Sequence, residues 1–248
     1  MSYSVILPTL NEAGHIIDLI KKISSVLIEI NTKFEIIVVD DDSNDGTDEL
    51  CKKLLKEDEN LKFFSRKGLK KNLPESINLG IQNSKYENII WMDADFQHPP
   101  DFFKQFHKYQ NKYDVIIFSR FLRDSVRYFE TQKLKKEVNE NQSVFFNKLC
   151  NFLLYKDVTD YTSGFICIKK KSLENYKLKG YYGEYFIDLV MYCKLKKFSI
   201  VELPFVEKER NSGLSKTFPE LSFRYIILLY KYFICLMKNI IKKKLLNN

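Results

Sequence analysis

Short apolar segments alternate with segments of helical spacing along the first half of the chain, and no other feature constrains the fold as strongly. The apolar segments lie at residues 5–7, 35–39, 61–64, 89–92 and 115–118. The segments between them carry hydrophobic residues every three or four positions, for example Ile16, Leu19, Ile20, Ile23 and Leu27. Short strands separated by such helices are typical of βαβ units. The sequence therefore predicts an α/β fold in which helices flank a mostly parallel central sheet.

The second half of the 248-residue chain continues this pattern. Helical spacing is present at residues 145–154 and at about 184–196, and strand-like segments lie at 164–169 and 198–206. Residues 120–141 are highly charged, which fits either an insertion over a binding site or a solvated surface helix. We predict one domain over residues 1–217, with an acceptor-side loop at about residues 121–143.

Composition narrows the class of protein. The net charge of +8 suggests an anionic partner, or simply a composition rich in lysine. Nucleic acid is not expected, because the basic residues are spread along the chain and form an ordered cluster only in the tail.

Five cysteines without a CxxC pair and three histidines supply no zinc motif. The thiols are predicted to be reduced and the N-terminal segment to be a strand rather than a signal peptide, as in a cytoplasmic protein.

The tail, residues 218–248, is predicted to form a separate basic amphipathic helix. It contains no proline or glycine from Glu220 onward, and Arg224, Lys231 and Lys238 recur every seven residues among tyrosines, phenylalanines and leucines. Its uncharged stretches are too short to span a bilayer, which takes about 20 residues. We expect this helix to lie in the membrane interface at the cytosolic face, or to pack on the domain or on a partner such as a small membrane-anchoring subunit.

Polar side chains are concentrated in three loops that follow predicted strands, at residues 8–12, 40–47 and 93–100. Ligands of parallel sheets bind at the carboxyl ends of the strands, so these loops form the candidate site. Asp93 and Asp95 directly follow the fourth strand, and a Pro-Pro pair stops regular structure after them. Two carboxylates at such a position can bind a hard divalent cation, which in turn can hold a diphosphate. This pattern indicates nucleotide-sugar chemistry.

The other two loops carry weaker signals. Pro8 is expected to end the first strand, and Glu12 to begin a helix, where an acid suits the helix dipole. In the second loop we expect one of Asp40 and Asp41 to bind ligand, while residues 43–45 cap the next helix.

Six motifs in one order make the chain similar to a known family. They are Pro-Thr-Leu-Asn-Glu at 8–12, Val-Asp-Asp at 39–41 with Asp-Gly-Thr at 45–47, Met-Asp-Ala-Asp-Phe-Gln-His-Pro-Pro at 92–100, Ser119 with Arg120, Thr-Ser-Gly-Phe at 162–165, and Arg210 with Gly-Leu-Ser-Lys at 213–216. With these motifs the chain resembles family 2 glycosyltransferases of the GT-A fold, especially the dolichol-phosphate mannosyltransferase (polyprenyl-phosphate sugar synthase) group. The resemblance implies a Rossmann-like sheet and an inverting, metal-dependent enzyme. Such an enzyme would move a hexose, with mannose from GDP-mannose as the leading case, onto a polyprenyl or dolichyl phosphate.

The resemblance also implies roles for individual residues. The nucleotide-sugar pocket would be lined by Pro8, Leu10, Glu12, Val39 and Asp41, with Ala94 passing close to the nucleotide. Mg²⁺ or Mn²⁺ would be held against the diphosphate by Asp93, Asp95 and Gln97. Phosphate groups would be contacted by Arg120, Arg210 and Lys216. Catalysis would depend on Asp95, Arg120 and Arg210, because they offset the charge that develops on the leaving diphosphate.

The acceptor side departs from the family pattern. Relatives carry an arginine shortly before a serine in this region, but residues 138–143 contain none, and Arg123 and Arg127 are the candidates to replace it. Leu10 also stands where the family has a tyrosine, so base stacking at that position is expected to be weaker.

The acceptor itself stays open at this point. A lipid phosphate is already anionic and needs no general base, whereas a saccharide hydroxyl does. For the hydroxyl alternative the candidate bases are Asp160, Glu184 and Asp188, although an acid early in a helix also simply suits the dipole. The histidines are expected to have structural or solvent-exposed roles. A non-catalytic nucleotide-sugar-binding subunit is disfavoured, because both metal carboxylates and the phosphate-binding cations are present.

Overall fold

The computed structural model describes residues 1–122, Ser125, 137–207 and 223–247, and these form a seven-stranded sheet covered by helices. The strands are β1 (Ser2–Thr9), β2 (Lys33–Asp40), β3 (Leu61–Ser65), β4 (Asn88–Trp91), β5 (Val115–Ser119), β6 (Ile166–Lys169) and β7 (Ile200–Pro204). Their order in the sheet is β3-β2-β1-β4-β6-β5-β7. The predicted α/β class is confirmed.

The sheet is mixed, and one strand runs against the others. β1 pairs in parallel with β2 and β4, β2 with β3, and β5 with β7. β6 is antiparallel to both of its neighbours, β4 and β5. The residues that precede β6 therefore lie at the same edge as the residues that follow the other strands, and this places two distant segments of the chain in one site.

Seven α-helices are present in the described residues. They are α1 (Ile16–Glu29), α2 (Thr47–Leu54), α3 (Leu73–Gln82), α4 (Phe103–Tyr109), α5 (Glu137–Leu153), α6 (Tyr185–Leu195) and α7 (Phe223–Asn247). One side of the sheet packs on α1, α2 and α4, and the other packs on α3, α5, α6 and α7. The result is a three-layer arrangement with a core on each face of the sheet.

Strand side chains alternate between these two cores. Val5 and Leu7 of β1 are buried on the α1 side, and Ile6 is buried on the α3 side. α3 approaches the sheet closely at this point, because a side chain on Gly80 would overlap Ile6. Only glycine allows that approach.

Strand β1 extends further than the sequence predicted. Pro8 was expected to end the first strand, and this is wrong, since β1 continues to Thr9. The ladder between β1 and β4 stops at Ile6, so Pro8 has no partner strand on the β4 side. The N–H that proline lacks is therefore not needed for a ladder hydrogen bond there. Most of the predicted acceptor-side loop lies outside the described residues, as do Arg123, Arg127, Arg210 and Lys216.

The C-terminal helix packs on the domain through one face. Tyr232, Leu236 and Asn239 are buried, and Lys242 forms an ion pair with Asp188 of α6 at 2.6 Å. The opposite face exposes a row of large apolar side chains: Tyr230, Phe233, Met237, Ile241 and Leu245. We call this row the outer face of α7. Among the described helices, none combines the length and hydropathy needed to cross a bilayer.

Candidate active site

Polar loops converge at the edge of the sheet where β1, β2, β4 and β5 end. The loop after β4 carries the predicted metal carboxylates. Asp93 donates its backbone N–H to Nδ1 of His98 at 3.0 Å, and His98 is buried and stacks on Phe165 at a centroid distance of 4.9 Å. Asp95 is buried, and its carboxylate accepts the N–H of Gln97 at 3.1 Å. The loop is thus folded back on itself, and His98 has the structural role that the sequence predicted.

The predicted metal ligands fit a hard cation by their chemistry. Within the described residues, no group of three or more His, Cys, Asp or Glu side chains stands at metal-binding spacing. A cation here would take protein oxygens from Asp93, Asp95 and Gln97 and its remaining ligands from substrate and water, which is the usual arrangement for Mg²⁺. An all-oxygen set of this kind suits Mg²⁺ or Mn²⁺ rather than a soft metal.

A guanidinium is clamped beside this loop. Arg120 follows β5, and its Nε and Nη2 donate to the two carboxylate oxygens of Asp160 at 2.8 and 2.9 Å. The backbone N–H of Arg120 also donates to Asp160, and Nη2 donates to the hydroxyl of Thr162 at 2.8 Å. Asp160 and Thr162 precede β6, so the antiparallel direction of that strand brings them to Arg120. Burial alone would lower the pKa of Arg120, but Asp160 outweighs it, and the cation stays fully charged.

Glu207 joins this cluster, and sequence reasoning did not identify it. It follows β7 and is buried. Burial raises the pKa of the Glu207 carboxyl, and the nearby Arg120 opposes the increase. The carboxylates of Asp160, Asp95 and Asp93 raise it further. Among the described residues, four carboxylates, those of Asp93, Asp95, Asp160 and Glu207, lie near Arg120, and a divalent cation would stabilise such an environment.

The side of the candidate site that is predicted to face the nucleobase, which we call the base side, is built around Asp41. Its carboxylate forms an ion pair with Arg66, and its other oxygen accepts the backbone N–H of Asn72 at 2.6 Å. Burial raises the pKa of Asp41, although Asn72 and Arg66 both oppose the increase. Arg66 was missed from the sequence; its signal was a basic residue directly after β3, at the edge where the other site loops lie. Asp40 instead accepts hydrogen bonds from Ser43, as expected for a structural carboxylate.

The first two site loops are locked to each other by backbone-to-side-chain hydrogen bonds. The N–H of Asn11 donates to Ser43 at 2.8 Å, and the N–H of Glu12 donates to Thr47 at 2.9 Å. Gly46, in the left-handed region, is the N-cap of α2, so the expectation that residues 43–45 cap this helix is wrong. Asp45 accepts the N–H of Thr47 at 3.1 Å from the position before the cap. Glu12 was expected to begin a helix, and this is wrong, since α1 begins at Ile16; Glu12 lies in the turn before it and pairs with His15 at 2.6 Å.

The remaining predicted lining residues differ in exposure. Pro8 and Leu10 are partly exposed at the end of β1. Val39 and Ala94 are buried, and the Val39 side chain belongs to the core on the α3 side. Val39 is therefore closed to a nucleotide in this conformation, since the whole residue lies inside the sheet between β1 and β3.

The candidate bases of the hydroxyl alternative are all engaged in the protein. The Glu184 carboxylate accepts the N–H groups of Tyr181 and Tyr182, each at 2.9 Å. Asp188 accepts from the hydroxyl of Tyr176 at 3.0 Å and pairs with Lys242. Asp160 holds Arg120, as described above.

The sheet order, with carboxylates at the end of β4 and a clamped arginine after β5, is the arrangement expected for a GT-A glycosyltransferase. The sequence profile of glycosyl transferase family 2 matches residues 4–177, and the chain belongs to that family. The dolichol-phosphate mannosyltransferase of Pyrococcus furiosus is 28% identical over 93% of this chain and 63% of that protein. The chain thus spans less than two thirds of the length of this relative. The dolichol-phosphate mannosyltransferase of Saccharomyces cerevisiae is 25% identical over 91% of this chain and 85% of that protein.

Solved structures support the same fold. The crystal structure of glucosyl-3-phosphoglycerate synthase from Mycobacterium tuberculosis with Mn²⁺, UDP and phosphoglyceric acid has a TM-score of 0.69, at 18% identity over 96% of this chain and 78% of that chain. A TarS fragment from S. aureus in complex with UDP-GlcNAc has a TM-score of 0.58, at 16% identity over 95% of this chain and 66% of that chain. At these identities the likeness establishes the GT-A fold.

Proposed function

We propose that this glycosyltransferase moves a hexose from a nucleoside diphosphate sugar to a polyprenyl phosphate, with mannose from GDP-mannose as the leading donor. A phosphate oxygen of the acceptor attacks the anomeric carbon, the bond from that carbon to the diphosphate breaks, and the nucleoside diphosphate leaves. Attack from the far face inverts the sugar linkage. The names of the Pyrococcus and Saccharomyces relatives support this choice of substrates.

The observation that carries the proposal is the arrangement of Asp93 and Asp95 beside the clamped Arg120. A bound Mg²⁺ or Mn²⁺ would supply positive charge to the diphosphate at Asp93, Asp95 and Gln97. Arg120 is held by Asp160 in a fixed orientation, so it can donate to a phosphate without reorganising. Pro8, Leu10, Glu12, Val39, Ala94 and Asp41 are proposed for the nucleotide pocket, and Arg210 and Lys216 for further phosphate contacts.

A phosphate acceptor is favoured because the candidate bases are committed elsewhere. Asp160, Glu184 and Asp188 each hold hydrogen bonds or ion pairs that stabilise the fold. A hydroxyl acceptor needs a base to remove its proton, whereas an anionic lipid phosphate does not.

Transfer of radiolabelled sugar from GDP-mannose to polyprenyl phosphate tests the proposal. We expect transfer in the presence of Mn²⁺, its loss on addition of EDTA, and a decrease of at least about hundredfold in Asp95→Asn. Asp101→Asn is the matched control, since Asp101 forms a surface ion pair with Lys22 at 2.7 Å, and such pairs contribute little. Full transfer after metal removal, or in Asp95→Asn, would contradict the mechanism. Parallel titrations with GDP and UDP identify the donor base.

One observation favours a saccharide hydroxyl acceptor instead. Glu207 is a buried carboxylate near Arg120, Asp93 and Asp95, which makes it a further candidate for the general base that a hydroxyl acceptor requires. Under that alternative, Glu207→Gln would lower transfer to a saccharide acceptor by several orders of magnitude and leave nucleotide binding intact. Under the leading proposal, Glu207→Gln retains transfer to a lipid phosphate.

The outer face of α7 supports a location at the cytosolic membrane surface. Its apolar side chains lie on the same helix as Lys238 and Lys244, which are exposed. Apolar residues beside cations on one helix suit the interface of an anionic bilayer, where a lipid acceptor would be found. A membrane-anchoring partner at the same face is the alternative occupant.

A further inference from the structure

A turn at residues 180–184 lies between the base side of the candidate site and α7, and it contacts both. Toward the site, Nδ2 of Asn72 donates to the carbonyl of Gly180 at 3.0 Å. Toward α7, the thiol of Cys235 lies 3.4 Å from the carbonyl of Glu184, to which it donates. The ammonium of Lys231, also on α7, lies 3.7 Å from the ring centroid of Tyr181. The turn therefore bridges two elements that are distant in sequence.

The turn is internally braced. Both oxygens of the buried Glu184 carboxylate accept N–H groups of the turn itself, from Tyr181 and Tyr182. Gly180 has a φ of 130°, a conformation that a side chain would strain. The hydrogen bonds of Glu184 thus tie the α7 end of the turn to the segment that follows Gly180.

From Gly180 the contacts continue to Asp41. Asn72 donates its backbone N–H to the Asp41 carboxylate at 2.6 Å, and its carbonyl accepts from Arg66 at 3.2 Å. Arg66 in turn is the ion-pair partner of Asp41. One residue, Asn72, therefore holds the turn with its side chain and the Asp41–Arg66 pair with its backbone.

The contact between the turn and α7 has no free space. Tyr232 of α7 is buried and packs edge-on against Phe146 of α5 at 5.2 Å. A side chain on Gly183 would overlap the hydroxyl oxygen of Tyr232, while its distance to ring carbon Cζ would be an ordinary 3.7 Å. The fit thus depends on a glycine facing a tyrosine hydroxyl.

We propose that Asn72 is a positioning residue for the nucleotide, and that the packing of α7 on the turn at Gly183 keeps Asn72 in place. α7 holds the 180–184 turn in place, and the turn holds Asn72 against Asp41, so the seating of α7 sets the geometry of the base pocket. This inference rests on the proposed nucleotide pocket at Asp41. It gives α7 a role inside the enzyme in addition to the role of its outer face.

Nucleotide affinity in a set of variants tests the inference, measured by calorimetric titration of GDP and UDP with Mn²⁺ into the full chain. Gly183→Ala is expected to weaken binding about tenfold, within the usual range of coupling between sites. Adding Tyr232→Phe removes the overlapping oxygen, and the double variant is expected to bind within about twofold of the wild type. Tyr232→Phe alone is expected to leave affinity unchanged.

Asn72→Ser tests the path through the turn. Serine keeps an oxygen that caps α3, where Asn72 now accepts the N–H of Glu75 at 3.0 Å, but it removes the donor to Gly180. We expect Asn72→Ser to weaken nucleotide binding, and Gly183→Ala to add no further loss in that background. The matched control is Asn83→Ser at the other end of α3, which is expected to bind normally. If Gly183→Ala does not fold, Asn72→Ser against Asn83→Ser decides the question.

The measured affinities distinguish a failure of the proposed function from a failure of the positioning role. A wild type that binds neither nucleotide with Mn²⁺ overturns the proposed function. A wild type that binds, together with a Gly183→Ala variant of unchanged affinity, overturns the positioning role. A loss in Gly183→Ala that Tyr232→Phe does not restore also overturns it, because the defect then reflects general disruption rather than the contact with Tyr232.

Discussion

Asp160 is fully buried and offers its two carboxylate oxygens to Arg120, which is about one fifth exposed. Replacing Asp160 by Asn leaves the guanidinium without its counter-charge, so we expect the free energy of unfolding to fall by about 2–4 kcal/mol. The reoriented Arg120 should also lower kcat by about 10²-fold, with a smaller effect on nucleotide affinity. Urea denaturation and initial-rate kinetics measure the two effects.

Asp157→Asn is the control for this prediction. Asp157 pairs with Lys194 at 2.5 Å but is itself 66% exposed, so its loss should change stability by no more than about 0.5 kcal/mol. Equal effects of the two substitutions would show that Asp160 does not act through a buried pair.

Glu35 is buried near the start of β2, at the end of the strands opposite to the candidate site. Burial alone would raise the pKa of its carboxyl, but Lys62, the N–H of Lys85 and Ser4 outweigh this and hold the pKa below its ordinary 4.5. A pKa lowered by folding stabilises the protein above the ordinary pKa, and that contribution is lost as the pH falls through the folded value.

We therefore expect Glu35→Gln to reduce the free energy of unfolding by about 1–3 kcal/mol at pH 7. The difference from the wild type should shrink as the pH falls below 4.5, the ordinary value for this group. Urea denaturation at a series of pH values measures it, with the exposed Glu174→Gln as control. A difference that stays constant down to pH 3 would refute the assignment.

Single residues were predictable where a motif carried them. Asp93 and Asp95 could be found because two carboxylates directly follow an apolar strand. Arg66 and Glu207 could not be found in this way, because the role of each depends on partners that follow or precede other strands. Asp41 is distant in sequence from Arg66, and the partners of Glu207 come from three different loops. Such pairs become visible only when the order of strands in the sheet is known.

At the scale of elements, buried parallel strands were the easiest to predict. They are covered on both faces and therefore appear in the sequence as continuous apolar runs. The direction of β6 was not predictable, because a four-residue apolar strand looks the same in either orientation. That direction nevertheless decides where Asp160 lies. The tail helix was predicted as an element, but its buried contacts were not, since its alternation of apolar and basic residues suits a membrane surface and a protein surface equally.

Two adjacent residues of α7 provide a direct test of how it is seated. Leu236 is buried against the domain, whereas Met237 is 40% exposed on the outer face. Leu236→Ala should leave a cavity and lower the free energy of unfolding by about 2–4 kcal/mol. Met237→Ala should change it by no more than about 0.5 kcal/mol. Chemical denaturation of both variants measures the difference, and equal values would mean that α7 does not pack on the domain as described.

At the scale of the whole molecule, the net charge of +8 and the outer face of α7 favour the same environment. The outer-face residues recur at intervals of three and four, so they form one continuous apolar stripe along the helix. Phe145 and Phe152 of α5, a helix that contacts α7 through Phe146, are also exposed. Exposed apolar surface of this extent marks an interaction site.

We expect the protein to bind vesicles that contain anionic lipid and to bind neutral vesicles more weakly, because each lysine near the surface contributes about 1 kcal/mol. Phe233→Ser combined with Ile241→Ser should reduce the partition coefficient by at least about tenfold, since two large apolar side chains no longer enter the interface. Ile28→Ser on α1 is the matched control, as Ile28 is 67% exposed but lies on the opposite layer of the sheet. Vesicle sedimentation at low and high salt measures the electrostatic and the apolar contributions to binding. Equal binding by the double variant and the wild type would exclude the outer face as the membrane contact, and it would leave a protein partner as the occupant of that face.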